Sequence, residues 1–339
     1  MSLFSTDIRA GKGGRPPSAQ VTYQRRLPFL VRLLRAWPFY LALAPTLVLV
    51  GVFTYYTTAQ GIQMSFYSSN NESVNFFVGL DNYRTLLSDT IFWNGFKNLL
   101  KYLAYGLTVG WFFPFVAAEL LISLSSLRWQ LIFRTALLLP MAFPVAVVGF
   151  TWQALYNADP SNQGVFNVIL GDIGLGGLEH NWLGDPKTAL YCLMFMGFPY
   201  IAGLVFLLLL GGLQNIPQEI LEAAAIDGCG RLRRIAAIDL PLLGDQFRLL
   251  FMLTLIGFPT GGAITLLLVT NGGPAFATMV PIVWLIQSGI TAGNFGYAAA
   301  MGNCLFLIAV LCSLLFLGAQ QLRSRLSLAL PELPEGEGR

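Results

Sequence analysis

The segment Glu222–Leu243, with the sequence EAAAIDGCGRLRRIAAIDLPLL, is polar and charged, although apolar segments flank it on both sides. Its pattern predicts two short helices that are separated at Gly228. The run Ala223–Ala225 favours a helix and adds little side-chain bulk, whereas a glycine readily takes the left-handed conformation that ends a helix. We therefore interpret the segment as a loop whose small side chains let another protein approach its backbone closely.

The residues around this segment indicate where the loop begins and ends. Pro217 suits a first helical turn, and the acidic side chain of Glu222 complements the positive end of the helix dipole. A second short helix is predicted over Arg231–Ile238, and Pro241 marks the return to the apolar part of the chain. The loop accordingly extends over about residues 217–243.

The composition of the whole chain identifies its class. Of its 339 residues, 55% are hydrophobic and only 11% are charged, and the mean hydropathy is +0.64. Soluble domains contain about 25% charged residues, so this composition indicates an integral membrane protein. The four cysteines form no CxxC pair and His180 is the only histidine. We therefore expect no disulfide framework, no metal site and no Ser-His relay.

Charge-free windows predict the membrane spans, because a spanning helix needs about 20 mostly apolar residues. Six such spans are predicted, at about residues 39–61, 102–124, 135–158, 188–218, 249–269 and 300–319. The apolar segment 276–290, between the last two, is expected to form a short re-entrant or interfacial helix. Two spans rather than three are assigned to the long apolar window after Arg248, because basic residues at both of its ends favour the same side of the membrane.

The distribution of basic residues orients the chain. With six spans and the N-terminus in the cytoplasm, sixteen of the twenty Lys and Arg residues lie inside and four outside, which agrees with the positive-inside rule. We therefore predict an all-α membrane protein with both termini in the cytoplasm and the quoted loop on the cytoplasmic side between spans four and five. The predicted parts are a basic, flexible tail over 1–37, a membrane domain over 38–322 and a cytoplasmic tail over 323–339.

The spacing within the loop carries a resemblance to a known family. Glu222-Ala223-Ala224, then Gly228, then Ile238 and Leu240-Pro241 match the pattern EAA-x3-G-x9-I-x-LP without a gap. This pattern resembles the signature loop of the membrane subunits of ATP-binding-cassette (ABC) importers. The stretches FVGLDNYRTLLSD, NWLGDPKTAL and LLVTNGGPAFAT resemble the carbohydrate branch of that family, which includes the maltose and glycerol-3-phosphate permeases. The resemblance implies the type I ABC importer permease fold.

The resemblance also implies partners. In that family the loop forms a coupling helix that docks into a cleft of a cytoplasmic ATPase. The residues expected to couple in this way are Glu222, Ala223, Ala224, Asp227, Gly228, Ile238, Leu240 and Pro241. The sequence contains no GxxxxGK[ST] motif, so ATP and Mg are expected in the ATPase and no cofactor in this chain. The expected partners are a second, related permease chain, two ATPase subunits, an extracytoplasmic solute-binding protein and lipid, but no nucleic acid. The expected location is a bacterial or archaeal cytoplasmic membrane.

Helix-breaking residues inside two predicted spans suggest a path for the solute. They occur in GFPY (197–200) and IGFPTGG (256–262), and such breaks are tolerated where they line a cavity or pack closely. GFPY is similar to a run in the maltose permease whose glycine and tyrosine help to hold sugar. The resulting candidates for solute contact are Gly197, Tyr200, Thr254 and Phe258. Alternatively, these glycines and prolines only permit kinks and tight helix packing. Glu119 is expected at the cytoplasmic end of span two, reaching toward water.

Several functions remain open at this stage. The favoured one is the membrane subunit of an ATP-driven importer of a sugar or sugar derivative, without enzymatic activity of its own. The same subunit for a polyol phosphate or an osmolyte is an alternative. A secondary transporter would need ionisable residues within the membrane, and spans three to six contain almost none. An exporter subunit would not need the EAA loop.

Overall fold

In the computed structural model of the protein, the described residues are 37–70, 73–199, 202–260 and 263–329. The chain divides into two units, residues 1–58 and 59–339. Among the described residues, the first unit contains most of helix α1 (Trp37–Met64), which holds Pro45 and a π-helical turn at Gly51–Tyr56. The predicted tails, 1–37 and 323–339, fall largely outside the described residues.

The second unit is mainly helical. A small antiparallel hairpin, β1 (Tyr67–Asn70) and β2 (Ser73–Phe77), follows α1 and was not predicted from the sequence. The helices that follow are α2 (Asp81–Ser88), α3 (Thr90–Ile122), α4 (Leu127–Leu138), α5 (Val145–Leu155), α6 (Val165–Asp172), α7 (Ala189–Phe195), α8 (Gly203–Gln214), α9 (Gln218–Ile226), α10 (Arg231–Arg234), α11 (Leu240–Leu242), α12 (Gly244–Gly257), α13 (Ala263–Val269), α14 (Pro281–Ile286) and α15 (Phe295–Ala329).

Four to six stretches of the described chain are suited to crossing a membrane. Four are single stretches that are long and apolar enough: α1, α3, Gly244–Val269 and Phe295–Leu322. Two pairs bent by 89° (α4 with α5) and 70° (α8 with α9) bring the number to six. We assign α9 to the loop instead, because it is polar and contains Glu219 and Glu222. Helices α7 and α8 both lie within the predicted bounds of span four, residues 188–218.

Helix α3 begins 12 residues earlier than the predicted second span. The prediction started after Lys101 because it required a charge-free window. In the structure Lys97 and Lys101 lie on the exposed side of the helix, whereas Phe92 and Asn98 are buried on the other side. The helix therefore has an amphipathic first section, before residue 102, and a uniformly apolar second section. A search for charge-free windows finds only the second section.

The same helix holds the second unit together. It contributes to all three buried apolar clusters: Phe92 to one, Leu99 to another, and Ala118 with Leu121 to the third. Its residue Gly95 packs so closely on α14 that an added Cβ would meet the backbone of Val280 and Pro281 at 3.3 Å. Helix α3 thus links the three apolar clusters of the second unit.

Candidate functional site

The first half of the EAA loop ends in a well-formed helix cap. Helix α9 stops at Ile226, and Gly228 follows with φ +69°. The amide of Gly228 donates to the carbonyl of Ala225 (3.1 Å), and the amide of Cys229 donates to that of Ala224 (2.9 Å). This is the Schellman pattern. No atom lies within 4 Å of a Cβ placed on Gly228, so the position requires glycine for its backbone conformation and not for space.

The tip of the loop exposes two large apolar side chains that the sequence analysis did not single out. Ile226 is 86% exposed and Leu232 is 83% exposed, one on each side of the Gly228 turn. Ala224, by contrast, is buried against the rest of the unit. Exposed aliphatic groups on both sides of a turn in a polar loop are typical of a surface that another protein covers.

The second half of the loop departs from a regular helix. The predicted helix over Arg231–Ile238 is present as the four-residue helix α10 followed by a π-helical turn, Ile235–Asp239. Asp239, within the motif's last section, is only 1% exposed. Its Oδ2 accepts a hydrogen bond of 3.0 Å from Nε of Arg234. The π-helical turn thus brings an arginine and an aspartate five residues apart into contact.

Glu119 corrects one of our expectations. It was expected to reach toward water, but it is 3% exposed and lies under the loop. Nη2 of Arg234 is 3.5 Å from Oε2 of Glu119, and Nη2 of Arg231 donates to the backbone carbonyl of Glu119 at 3.1 Å. The arginines of the loop and the end of α3 therefore form an ionic cluster around two buried acids, named here the inner clasp: Glu119, Arg231, Arg234 and Asp239.

A second polar cluster lies at the opposite end of α3. Asp89 caps that helix: its Oδ1 accepts from the amides of Ile91 (2.8 Å) and Phe92 (3.1 Å). Its Oδ2 accepts from Nε1 of Trp284 (2.7 Å) and from the hydroxyl of Tyr297. Burial raises the pKa of Asp89, but these hydrogen bonds outweigh it and leave the pKa below its ordinary value. We name Asp89, Trp284 and Tyr297 the outer clasp.

A cavity of about 780 Å³ lies between the two clasps along α3. Three of the four residues predicted to contact the solute line it: Gly197, Thr254 and Phe258. Gly197 has φ +88° at the break after α7, and the hydroxyl of Thr254 donates to the carbonyl of Leu250 at 2.8 Å. The fourth, Tyr200, lies outside the described residues. That these residues contact a solute stays a prediction.

The cavity wall is mainly apolar, with several aromatic rings, and its described residues carry no charge. Its described lining contains rings and hydroxyls that the sequence analysis missed, those of Tyr102, Tyr105 and Phe143, and no Asp, Glu, Lys, Arg or His. Phe258 is largely buried and meets Phe96 edge to face, with ring centroids 6.2 Å apart. Such a wall suits a neutral solute that has both C–H faces and hydroxyl groups.

The loop between α6 and α7 is ordered by its own side chains. Oδ1 of Asn167 accepts from Nε1 of Trp182 (2.8 Å), and Nε2 of His180 is 2.9 Å from Oδ2 of Asp185. The pKa of Asp185 is lowered chiefly by the hydrogen bond from the amide of Lys187. Within the described ranges, no three His, Cys, Asp or Glu residues are grouped so that they could hold a metal ion.

Comparison with known proteins places the chain among transport subunits. Residues 106–326 match the family described as "Binding-protein-dependent transport system inner membrane component". The chain is 31% identical to the trehalose/maltose transport system permease protein of Thermococcus litoralis, over 84% of this chain and 94% of that protein. It is 30% identical to a probable ABC transporter permease protein of Pyrococcus horikoshii, over 82% and 93%.

The fold also has a counterpart among solved structures. A chain of a bacterial ABC transporter involved in the import of the acidic polysaccharide alginate superimposes with a TM-score of 0.74. The match covers 89% of this chain and 99% of that one, at 22% sequence identity. The likeness extends over nearly the whole of that chain, so the two chains share a fold.

Proposed function

Because the chain belongs to the family of binding-protein-dependent transport system inner membrane components, we propose that it forms half of the translocation pathway of an ATP-driven importer of sugars or sugar derivatives. It is a multi-pass membrane protein and a transport subunit, not an enzyme. In this arrangement a separate ATPase supplies the energy. The chain uses that energy to open the cavity to one side of the membrane at a time.

The observation that carries this proposal is the geometry of the EAA loop. The left-handed turn at Gly228 presents Ile226 and Leu232 outward, and the inner clasp fixes the same loop to α3. This loop is exposed on one side and anchored to α3 on the other. Such a loop is suited to docking on a second protein and to transmitting the movement of that protein to its own chain. We propose that it is the cytoplasmic coupling helix and that both termini are cytoplasmic. The residues proposed to couple are Glu222, Ala223, Ala224, Asp227, Gly228, Ile238, Leu240 and Pro241.

The proposed partners follow from this role. One chain provides one coupling loop, whereas a pair of ATPases offers two clefts, so we propose a second, related permease chain. The complex would further contain two ATPase subunits that bind ATP and Mg, and an extracytoplasmic solute-binding protein. No cofactor is proposed for this chain itself.

The proposed solute is a neutral sugar or glycoside. Its support is the wall of the cavity, which includes the rings of Tyr102, Tyr105 and Phe258 and has no charge in the described lining. A polyol phosphate, the alternative, would bring a dianion into an apolar environment whose described lining contains no basic residue, which is unfavourable. Similarity to a trehalose/maltose permease points the same way.

Docking is tested by replacing the two exposed side chains at the loop tip. In the double variant Ile226→Ser/Leu232→Ser, we expect the tagged chain to insert in the membrane but to lose most of its co-purifying ATPase, because the apolar contact is gone. The matched control is Ile290→Ser, which changes an equally exposed isoleucine far along the chain. Full retention of the ATPase by the double variant would contradict the docking role.

The solute class is tested through the partner that captures it. A thermal-shift screen of the cognate binding protein against neutral oligosaccharides, glycosides and sugar phosphates identifies a ligand, and uptake of that ligand by the complete complex in vesicles then measures transport. We expect a neutral ligand, and ATP-dependent uptake that disappears when this chain is omitted. A preference for phosphorylated ligands would contradict the proposed solute class.

A further inference from the structure

We propose that the inner clasp transmits movement of the coupling loop to helix α3, and that Glu119 and Arg234 are the positioning residues of this link. The inference rests on the proposed function, because it takes the loop as the part that docks on the ATPase. It adds a route from that loop to the cavity. The route consists of an ionic contact between two segments that are far apart in the sequence, followed by a single continuous helix.

The charges of the inner clasp balance each other. Two acids, Glu119 and Asp239, are almost fully buried, and Arg234 pairs with both, whereas Arg231 contacts the backbone carbonyl of Glu119. Arg234 lies between the acids, with Nη2 3.5 Å from Glu119 and Nε 3.0 Å from Asp239. A buried charge is tolerated only next to its partner. If the loop is displaced by its ATPase, the end of α3 must therefore follow or lose the only cations that the described residues place beside Glu119.

The position of Glu119 on its helix strengthens this dependence. It lies in the last turn of α3, where the helix dipole presents its negative end and disfavours an anion. Without the loop arginines, the carboxylate would face both desolvation and the dipole. The apolar contacts nearby continue the connection, because Ala118 and Leu121 of α3 share a buried cluster with Leu243 at the end of the loop.

Helix α3 leads from the inner clasp to the cavity. The cavity-lining residues of this helix extend from Leu99 to Gly106. Glu119 is 13 residues beyond Gly106, or about 20 Å along the axis at 1.5 Å per residue. The helix is continuous over this distance although it contains Pro114. A shift of its inner end therefore moves the aromatic wall formed by Tyr102 and Tyr105.

The experiment compares three variants in the complete complex: Glu119→Gln, Arg234→Gln and the double variant. For each we measure the amount of co-purifying ATPase, the basal ATP hydrolysis, and the factor by which the ligand-loaded binding protein stimulates hydrolysis. We expect Glu119→Gln to keep the ATPase and the basal rate but to reduce the stimulation factor about tenfold, a typical size for coupling between two sites. Asp245→Asn, which neutralises an exposed acid near the loop, should leave all three quantities unchanged.

The double variant separates a link from a purely structural ion pair. It removes one acid and one arginine and so keeps the numbers of positive and negative charges equal, although Asp239 then lacks its ion pair with Arg234. The amount of co-purifying ATPase and the basal rate, compared with those of Arg234→Gln, which lacks the same ion pair, check that the variant assembles. Its stimulation factor should nevertheless stay low, because the contact between loop and helix is absent. Recovery of stimulation in the double variant would show that only charge balance matters and would overturn the inference.

Other outcomes are equally decisive. Wild-type stimulation in Glu119→Gln, or loss of its ATPase, would also overturn the inference, since the residue would then be either dispensable or part of the docking surface. Failure of the proposed function is recognised separately. In that case the wild-type chain itself does not bind an ATPase or shows no stimulation by the binding protein, whatever the variants do.

Discussion

The two ends of helix α3 each hold a buried or half-buried carboxylate, and they hold it in different ways. Asp89 precedes the first turn and receives hydrogen bonds only from neutral donors: two backbone amides, an indole and a phenol. Glu119 lies in the last turn, where its carboxylate is 3.5 Å from the guanidinium group of Arg234 and its backbone carbonyl accepts a hydrogen bond from that of Arg231. The same helix therefore uses neutral partners for one anion and cations for the other.

The helix dipole explains the difference. An anion at the N-terminus is stabilised by the exposed amides, so Asp89 needs only neutral donors to complete its shell. At the C-terminus the dipole opposes an anion, and Glu119 needs positive charge from another segment. The side-chain partners of Asp89 come from α14 and α15, which pack on α3 directly. The partners of Glu119 come from the EAA loop, which is proposed to move. The contacts of the outer clasp therefore join helices that pack directly on each other, whereas the contacts of the inner clasp exist only while the loop stays in place.

The largest effect is expected from removing the cation of the inner clasp. Arg234→Met leaves Glu119 and Asp239 buried with less positive charge, and breaking a buried pair in this way costs about 3–5 kcal/mol. Unfolding of the purified protein in mixed micelles measures the loss. Arg248→Met is the matched control, because Arg248 pairs with Asp245 on the surface and such pairs contribute about 0–1 kcal/mol. Equal losses in the two variants would remove the contrast between buried and surface arginines.

A smaller loss is expected at the outer clasp. Asp89→Ala deletes the helix cap, at about 1 kcal/mol, and leaves the indole of Trp284 and the hydroxyl of Tyr297 without their acceptor, at about 1–3 kcal/mol. Asp89→Asn should cost less, because asparagine caps a helix as well as aspartate does. The same unfolding measurement checks both. If Asp89→Asn is as costly as Asp89→Ala, the negative charge of Asp89 itself contributes to stability, and hydrogen bonds from neutral donors do not account for the outer clasp.

A third prediction concerns the turn that directs the loop. Gly228→Val places a β-branched residue at φ +69°, which costs about 1–2 kcal/mol for an L-residue in the left-handed region. Since there is open space around the position, we expect the chain to stay folded while the loop tip is misdirected. Gly230→Val serves as control, because Gly230 has an ordinary extended backbone. Stimulated ATP hydrolysis should fall in the first variant alone; an unchanged value there would show that the turn does not set the docking geometry.

The sequence predicted the loop better than the clasps. The left-handed glycine and the break between two helices follow from local preferences, and the structure has both at Gly228. The assignment to the membrane subunits of ABC importers rested on the spacing of the same motif, and the assignment to their carbohydrate branch rested on other stretches such as NWLGDPKTAL; both are confirmed. Local rules were sufficient here because a helix cap depends on only a few neighbouring residues.

The contacts of Glu119 and Asp89 were not visible in the sequence. An acid inside an apolar helix implies a partner, but Arg234 is one of many basic residues on the predicted cytoplasmic side and only the fold selects it. The π-helical turn that directs Arg234 toward Asp239 has no simple sequence signal. Only the part of the cavity near the helix-breaking residues was predicted. The part formed by Tyr102 and Tyr105 was interpreted as an ordinary membrane span.

The smallest effect is expected from mild acid at the outer clasp. The pKa of Asp89 is raised by burial and lowered more strongly by hydrogen bonds from Tyr297, Trp284 and two amides, so that it lies below the ordinary value of 3.8. A carboxyl with a depressed pKa stabilises the fold above its unfolded pKa, and this contribution is lost as the pH falls through the folded value. Between pH 7 and pH 5 the group stays ionised in both states. The difference in unfolding free energy between the wild type and Asp89→Asn should therefore be the same at these two pH values and change only below about pH 4. Taking the difference cancels the contributions of groups that titrate equally in both proteins. A difference that already changes between pH 7 and pH 5 would mean that Asp89 takes up a proton in this range. The outer clasp would then change with conditions, as the inner clasp is proposed to change with the position of the loop.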